Sequence, residues 1–202
     1  MRRGSTETQF EGAGLSARPM AAAFRFVLRI CVAAAVCLGS VGRAESDMNV
    51  SKVKALYIYN LVRYCEWPTS VFARTNSSIE LLVVGADRIA ADLKAMVAGK
   101  TVQGRNIEVV TSQSKTLPSS VHLIFLGESE KSAAKEWLSE AEQHPVLTVA
   151  EHEGFLSSGG MVSFHMDEGK VKLSVNLKPT RAAGLILSSR LLTVATEVRG
   201  RE

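Results

Sequence analysis

The sequence lacks the compact motifs by which the common enzyme classes hold metals or activate nucleophiles. It contains no H-E-x-x-H pair for a zinc ion and no G-x-S-x-G segment for a hydrolase serine. A metal site would therefore have to be assembled from distant segments. The four histidines are far apart along the chain: His122, His144, His152 and His165.

Phosphate-binding loops are also missing. Gly99-Lys100-Thr101 resembles the end of a P-loop, but Lys94 stands where that loop needs the glycine that lets its backbone wrap the phosphates. Gly85 follows a strand-like run, yet no G-x-G-x-x-G dinucleotide motif begins there. These absences argue against the common enzyme classes, and we predict no cofactor, no metal and no catalytic residues. An enzyme whose ionisable groups come together from distant segments stays open as an alternative.

Cysteine is scarce, and two of the three cysteines fall in a segment that is predicted to be removed. Two arginines accompany the apolar run Ile30–Leu38, and small residues follow it up to Ala44. A positive flank, an apolar core and a small-residue exit are typical of a secretory signal peptide. We predict a signal peptide over residues 1–44, export of the chain, and one mature domain over residues 45–202.

Alternatives to this cleaved leader stay open. A membrane anchor needs about 20 predominantly apolar residues, whereas this run is interrupted by Arg29. A lipoprotein would require Cys37 to carry the lipid. Met20 is an alternative start to Met1, because the stretch between them is polar and has no targeting pattern.

Without the leader, the charges of the chain balance. The leader holds six arginines and two glutamates, which leaves 18 basic and 18 acidic residues. Because the net charge is zero, the mature chain has no long-range electrostatic field that would attract phosphates, and nucleic-acid binding is not expected. Cys65 remains the single cysteine and shares a helical face with Leu61 and Val62. This position predicts a buried thiol, with an intermolecular disulfide or a reactive thiol as the alternatives.

Hydrophobic periodicity indicates a mixture of helices and mostly apolar strands. Continuous apolar strands are typical of a sheet covered on both faces. The fold class we predict is α/β, a single-domain sandwich with a central mixed β-sheet flanked by helices on both faces and closed by a hairpin at Asp167-Glu168-Gly169. The predicted helices are Val50–Trp67, Ile89–Val97, Ser129–Gln143 and Ala182–Val198, and the strands are Ile79–Val84, Asn106–Thr111, Val121–Leu126, Val146–Val149, Met161–His165 and Lys170–Leu177.

Two segments resemble a known family. Lys54–Pro68 fits K-A-x-x-x-Y-N-x-x-x-[FY]-x-x-W-P, and Phe155–Phe164 fits F-x-x-x-G-G-M-[IV]-x-F. Together with three weaker blocks in the same order, they resemble the YfiR/HmsC-like family. The resemblance implies an exported, non-enzymatic α/β protein of the periplasm. It departs from several members in having no cysteine pair late in the chain, since no cysteine follows Cys65.

The resemblance also implies partners. The best-known members inhibit an inner-membrane diguanylate cyclase through its periplasmic sensory domain, and an outer-membrane-associated protein sequesters them. By resemblance, this chain lowers cyclic di-GMP and biofilm formation. The alternative is a stand-alone periplasmic small-molecule-binding module that signals to a histidine kinase or transporter. We also expect a homodimer, because the neutral surface does not oppose self-association.

Eight residues in the matched blocks are candidates for partner or ligand binding. The aromatic and arginine residues at the end of the first helix are of the types that dominate binding hot spots, although packing in the core is the alternative. The paired glycines let a ligand approach the backbone or simply form a turn. Asn176 and Arg181 flank Pro179 at the start of a predicted helix, where the exposed backbone amides favour a small anionic ligand. The candidates are Asn60, Arg63, Tyr64, Trp67, Gly159, Gly160, Asn176 and Arg181.

Overall fold

The computed structural model describes residues 49–201 except 113 and 115. The predicted signal peptide and its cleavage site after Ala44 lie outside these residues. Within the described residues, no helix combines the length and the apolar content needed to cross a membrane.

Eight strands form one mixed sheet, and two short strands pair separately. The strands are β1 Cys65–Glu66, β2 Ile79–Val84, β3 Thr101–Val102, β4 Arg105–Thr111, β5 Val121–Leu126, β6 Leu147–Ala150, β7 Val162–Asp167, β8 Lys170–Asn176, β9 Ile186–Leu187 and β10 Glu197–Arg199. The order across the large sheet is β10-β8-β7-β6-β5-β2-β4-β3. Neighbouring strands are parallel except for β8 with β7 and β4 with β3, which are antiparallel.

Helices cover the sheet on both faces, as predicted. The long first helix, α1, runs over residues 49–64 and packs with α2 (Asp87–Val97) against one face, whereas α3 (Ala134–Ala141) packs against the other. Two shorter helices, α4 (Leu177–Ala182) and α5 (Ser189–Val194), follow the hairpin. Each face holds its own apolar cluster, so the central strands are buried on both sides, which explains their continuous apolar runs.

Most predicted elements are confirmed. The hairpin pairs β7 with β8 from Asp167 opposite Lys170 onward. The first helix is shorter than predicted, because it ends at Tyr64 and Cys65 enters β1, which pairs with β9. The predicted helix Ser129–Gln143 is also shorter, since a 3-10 turn at Glu128–Glu130 precedes α3.

The predicted last helix, Ala182–Val198, is wrong. Gly184 has a left-handed φ of +72°, and the amide of Leu185 donates to the carbonyl of Thr180 at 3.0 Å, which closes α4. The Ser188 side chain then accepts from the amide of Arg190 at 3.3 Å and begins α5. The apolar residues of this segment therefore reach the core from short elements rather than from one helix.

Candidate functional site

Strands β2 and β5 lie side by side where the order of the sheet reverses. The chain leaves β2 through α2 toward β4 on one side, and leaves β5 through α3 toward β6 on the other. The two helices lie on opposite faces. In open α/β sheets, ligands bind outside the carboxyl ends of the strands at such a switch point. We therefore take this edge as the candidate functional site.

Two glycines bring the backbones of the switch point close together. The amide of Gly127, after β5, donates to the carbonyl of Val84 at 2.8 Å. A Cβ atom on Gly127 would lie 2.1 Å from the carbonyl oxygen of Gly85, and Gly85 itself has a φ of +67°. No larger residue fits at Gly127 without moving this backbone, so the two glycines allow the segments after β2 and β5 to approach closely.

A nearly buried ion pair closes one wall. The Lys54 ammonium on α1 pairs with the carboxylate of Glu151, which follows β6, and the two side chains are only 17% and 13% exposed. The other carboxylate oxygen of Glu151 accepts from the amide of Glu128 at 3.1 Å. Glu151 therefore fixes the first helix to the carboxyl ends of two strands.

The resulting cleft has a volume of about 300 Å³ and lies beside the first turn of α2. Its rim carries Ser51, whose hydroxyl donates to Asp92 at 2.5 Å and ties α1 to α2. Arg88 and Asp87 add one charge of each sign. This mixed-charge lining suits a small ligand that carries both a cationic and an anionic group.

The sequence prediction missed this site because its residues come from three distant segments. Lys54 lies on the first helix, whereas Gly127 and Glu151 follow separate strands. One signal was available, because each buried parallel strand ends in a glycine or an acid: Val84-Gly85, Leu126-Gly127 and Ala150-Glu151. The order of the strands brings these ends together, and no local sequence pattern predicts that order.

The four predicted residues at the end of the first helix lie at the opposite edge of the sheet. Trp67 is buried, and its indole N–H donates to the carbonyl of His122 at 3.0 Å. Asn60 and Tyr64 are half-buried, and only Arg63 is exposed. Trp67 is thus a core residue, whereas the helix face around Arg63 is open to a partner.

An aromatic and cationic cluster surrounds Arg63. Its guanidinium lies 5.7 Å from the ring centre of Tyr59 and 5.5 Å from that of Tyr64. Lys100 lies 4.9 Å from the ring centre of Tyr59. These are cation–π distances, so the cluster is held together by its own contacts. Tyr59 and Lys100 were not among the predicted site residues.

Gly159 and Gly160 form a turn against an aromatic ring. Gly159 has a φ of +101° and ends a 3-10 turn. A Cβ atom on Gly160 would lie 2.3 Å from ring carbons of Phe155. The sequence suggested that a ligand could approach the backbone at these glycines. At Gly160, the ring of Phe155 occupies that position instead.

Asn176 and Arg181 are engaged within the chain. The Asn176 side chain accepts from the amide of Lys178 at 3.2 Å, which caps α4, and donates to the carbonyl of Leu156 at 3.3 Å. The Arg181 guanidinium donates to the carbonyl of Gly200 at 2.9 Å. These two residues hold α4 between the glycine turn and the C-terminal strand.

Two buried titratable groups lie away from the switch point. Cys65 is buried, which confirms the predicted buried thiol. Burial, with a further contribution from the charge of Glu66, raises the pKa of this thiol far above its ordinary value. Burial, and secondarily the positive charge of Arg105, lowers the pKa of His122. His122 Nδ1 accepts from the amide of Glu80 at 3.2 Å, so the neutral ring is a structural acceptor.

The described residues offer no metal site, but they form a second cleft. Among residues 49–201 that the structure describes, no group of three or more His, Cys, Asp or Glu side chains is placed to hold a metal ion. A second, larger cleft of about 460 Å³ lies between the segment Glu153–Ser157 and the strands β7, β8 and β10, lined by hydroxyl groups and the Glu197–Arg199 pair.

Distant likenesses to solved structures exist. A conserved domain protein from Vibrio cholerae is 15% identical, with 59% of this chain and 54% of that chain covered and a TM-score of 0.44. An ABC domain from Streptococcus pneumoniae, solved with L-Trp, is 13% identical, with 64% and 57% covered and a TM-score of 0.46. This chain spans a little over half the length of each. No curated protein matches it.

A family model described as YfiR/HmsC-like matches residues 51–196. The match begins in α1 and ends just before β10, so it includes both the switch point and the glycine turn. The family is a regulatory, non-enzymatic and periplasmic one, and membership is consistent with a regulator of diguanylate cyclases. The chain belongs to the YfiR/HmsC-like family.

Proposed function

We propose that this protein is exported to the periplasm, binds the periplasmic sensory domain of an inner-membrane diguanylate cyclase and inhibits the cyclase. The family match over residues 51–196 is the observation that carries the proposal. Binding to one conformation of the sensor shifts its population toward the inactive state. A tenfold preference for that conformation, about 1.4 kcal/mol, is enough to change the output measurably.

The experiment is a gene deletion with two complementing plasmids. Deletion raises intracellular cyclic di-GMP and biofilm formation, and the full-length chain restores both. A chain without residues 1–44 does not restore them, because it stays in the cytoplasm. Unchanged cyclic di-GMP in the deletion strain, with the wild-type protein shown to be expressed, would contradict the proposal.

Self-association and a second partner belong to the same proposal. We place the homodimer contact on the C-terminal half of α1, where Arg63 lies exposed between Tyr59 and Tyr64. An outer-membrane-associated protein would compete for the regulator and release the cyclase. Sedimentation that shows only monomer at micromolar concentration would refute the dimer and leave the inhibitory role standing.

A second candidate function is a small-molecule-binding module that signals to a histidine kinase or transporter. The cleft at the switch point favours it, since Lys54, Arg88, Asp87 and Glu151 line a pocket of about 300 Å³. The ligand this lining suits is small and zwitterionic. In this case a ligand raises the melting temperature of the purified domain, whereas deletion leaves cyclic di-GMP unchanged.

A further inference from the structure

A groove between α1 and the start of β8 has the features of a strand-binding surface. It has a volume of about 400 Å³ and runs between the first half of α1, including Val53 and Tyr57, and residues 169–172 of the hairpin. It lies apart from the switch-point cleft, which shares only Val50 with it.

The backbone of β8 faces this groove with an unpaired edge. The carbonyl of Leu173 accepts from the amide of Thr196 at 2.9 Å, so Leu173 directs its peptide groups away from β7. Because peptide groups alternate along a strand, Val171 directs its amide and carbonyl to the same side. Strand β10 pairs with β8 only from Ser174 onward, so among the described residues no strand pairs with the outer edge at Val171.

Exposed apolar side chains of α1 lie beside the groove. Val53, which lines it, is 39% exposed, and Leu56 on the same helix is 48% exposed. Tyr57 also lines the groove, and its ring centre lies 5.8 Å from that of Phe164 on β7. The helix therefore offers apolar surface at the groove.

Around the groove, lysines outnumber the two acids of the hairpin turn, Asp167 and Glu168. Lys170 and Lys172 line it, and Lys52 is exposed on the adjoining turn of α1. Asp167 lies opposite Lys170 in the hairpin register, yet no ion pair joins them, and none of these lysines has an acidic partner in the described part of the chain. An acidic segment would satisfy these charges.

We propose that the α1–β8 groove binds an extended, acidic segment of the partner protein, which adds a strand to the edge of β8 at Val171. In this mode the main-chain hydrogen bonds give affinity, and alternate side chains of the added strand give specificity. Apolar residues of the segment pack on Val53, and its acids face Lys170 and Lys172. The inference rests on the proposed function, because it assigns the surface that the sensory domain contacts.

The test measures amide hydrogen exchange of the processed protein, purified from the periplasm, with and without the purified sensory domain of the cyclase. We expect exchange at Val171 to slow in the complex, because its amide gains an acceptor. If a complex forms and exchange at Val171 is unchanged, the groove is not the contact surface, but the proposed function stands. If no complex forms, both the groove assignment and the proposed function are contradicted. Slowing at Val171 with rising concentration of the protein alone assigns the groove to a second copy, and also overturns the proposal.

Charge-reversal variants test the same surface independently and leave the backbone pairing of β7 with β8 in place. We expect the variant K170E/K172E to raise the Kd for the sensory domain by more than about tenfold, with the melting temperature little changed. Lys135→Glu is the control, because Lys135 is an exposed lysine on α3 that does not line the groove. An equal change in Kd for K135E would show a general charge effect and contradict the assignment.

Discussion

The ion pair at the switch point gives the sharpest prediction about stability. Replacing Lys54 by Met keeps an apolar stem of similar length and removes the cation. Glu151, which is only 13% exposed, then loses its ion-pair partner and keeps the hydrogen bond from the amide of Glu128. Breaking a fully buried pair costs about 3–5 kcal/mol. Because both side chains keep some exposure, we expect K54M to lower the free energy of unfolding by about 2 kcal/mol.

The matching double variant separates the charge from the packing. K54M/E151Q removes both charges and leaves an amide that can still accept from the Glu128 N–H. We expect its free energy of unfolding to return to within about 1 kcal/mol of the wild type, because no uncompensated charge remains. The control is Lys131→Met, since Lys131 pairs with Glu128 at 3.7 Å with both side chains more than half exposed. This exposed pair contributes less than about 0.5 kcal/mol.

Urea denaturation followed by circular dichroism measures all of these variants. For a domain of this size, a loss of 2 kcal/mol lowers the melting temperature by about 4–8 °C. The reasoning is refuted if the losses of K54M and E151Q simply add in the double variant. Additivity would mean that the two groups contribute independently rather than as a pair.

Two further predictions concern groups that the fold holds tightly. Gly127→Ala places a methyl group 2.1 Å from the carbonyl oxygen of Gly85, and we expect a loss of about 1–3 kcal/mol in urea denaturation; an unchanged midpoint would show that the backbone moves freely there. The pKa of His122 is lowered, so the neutral ring stabilises the fold fully above the ordinary value of 6.5, and this contribution is lost as pH falls through the folded-state pKa. The pH dependence of the melting temperature below 6.5 should therefore flatten in His122→Gln, and an identical profile would exclude His122 as the cause.

The parts of the fold that the sequence predicts correctly are those with strong local patterns. Ile79–Val84 and Val121–Leu126 are strands because their apolar runs are buried between helices on both faces. The hairpin follows from its glycine turn at Gly169, which has a φ of +75°. The error at Ala182–Val198 has the opposite origin, because tertiary pairing of β9 with β1 overrides a helical pattern that Gly184 already interrupts.

The candidate site was less predictable than the fold. Asn176 and Trp67 belong to residue types that bind ligands, yet their polar groups are used within the chain, by a cap and by a buried hydrogen bond. Local sequence cannot show which polar groups find internal partners. Conversely, Lys54 and Glu151 are 97 residues apart and meet only because the strands are ordered as they are.

The measurement that tests the central claim most directly is cyclase activity in the presence of this protein. Purified residues 45–202 are titrated onto vesicles that display the sensory domain of the cyclase on their accessible face and enclose GTP. We expect synthesis of cyclic di-GMP to fall along a saturable curve whose midpoint matches the Kd for the sensory domain. A rate that stays constant at saturating occupancy of the sensory domain would contradict the account.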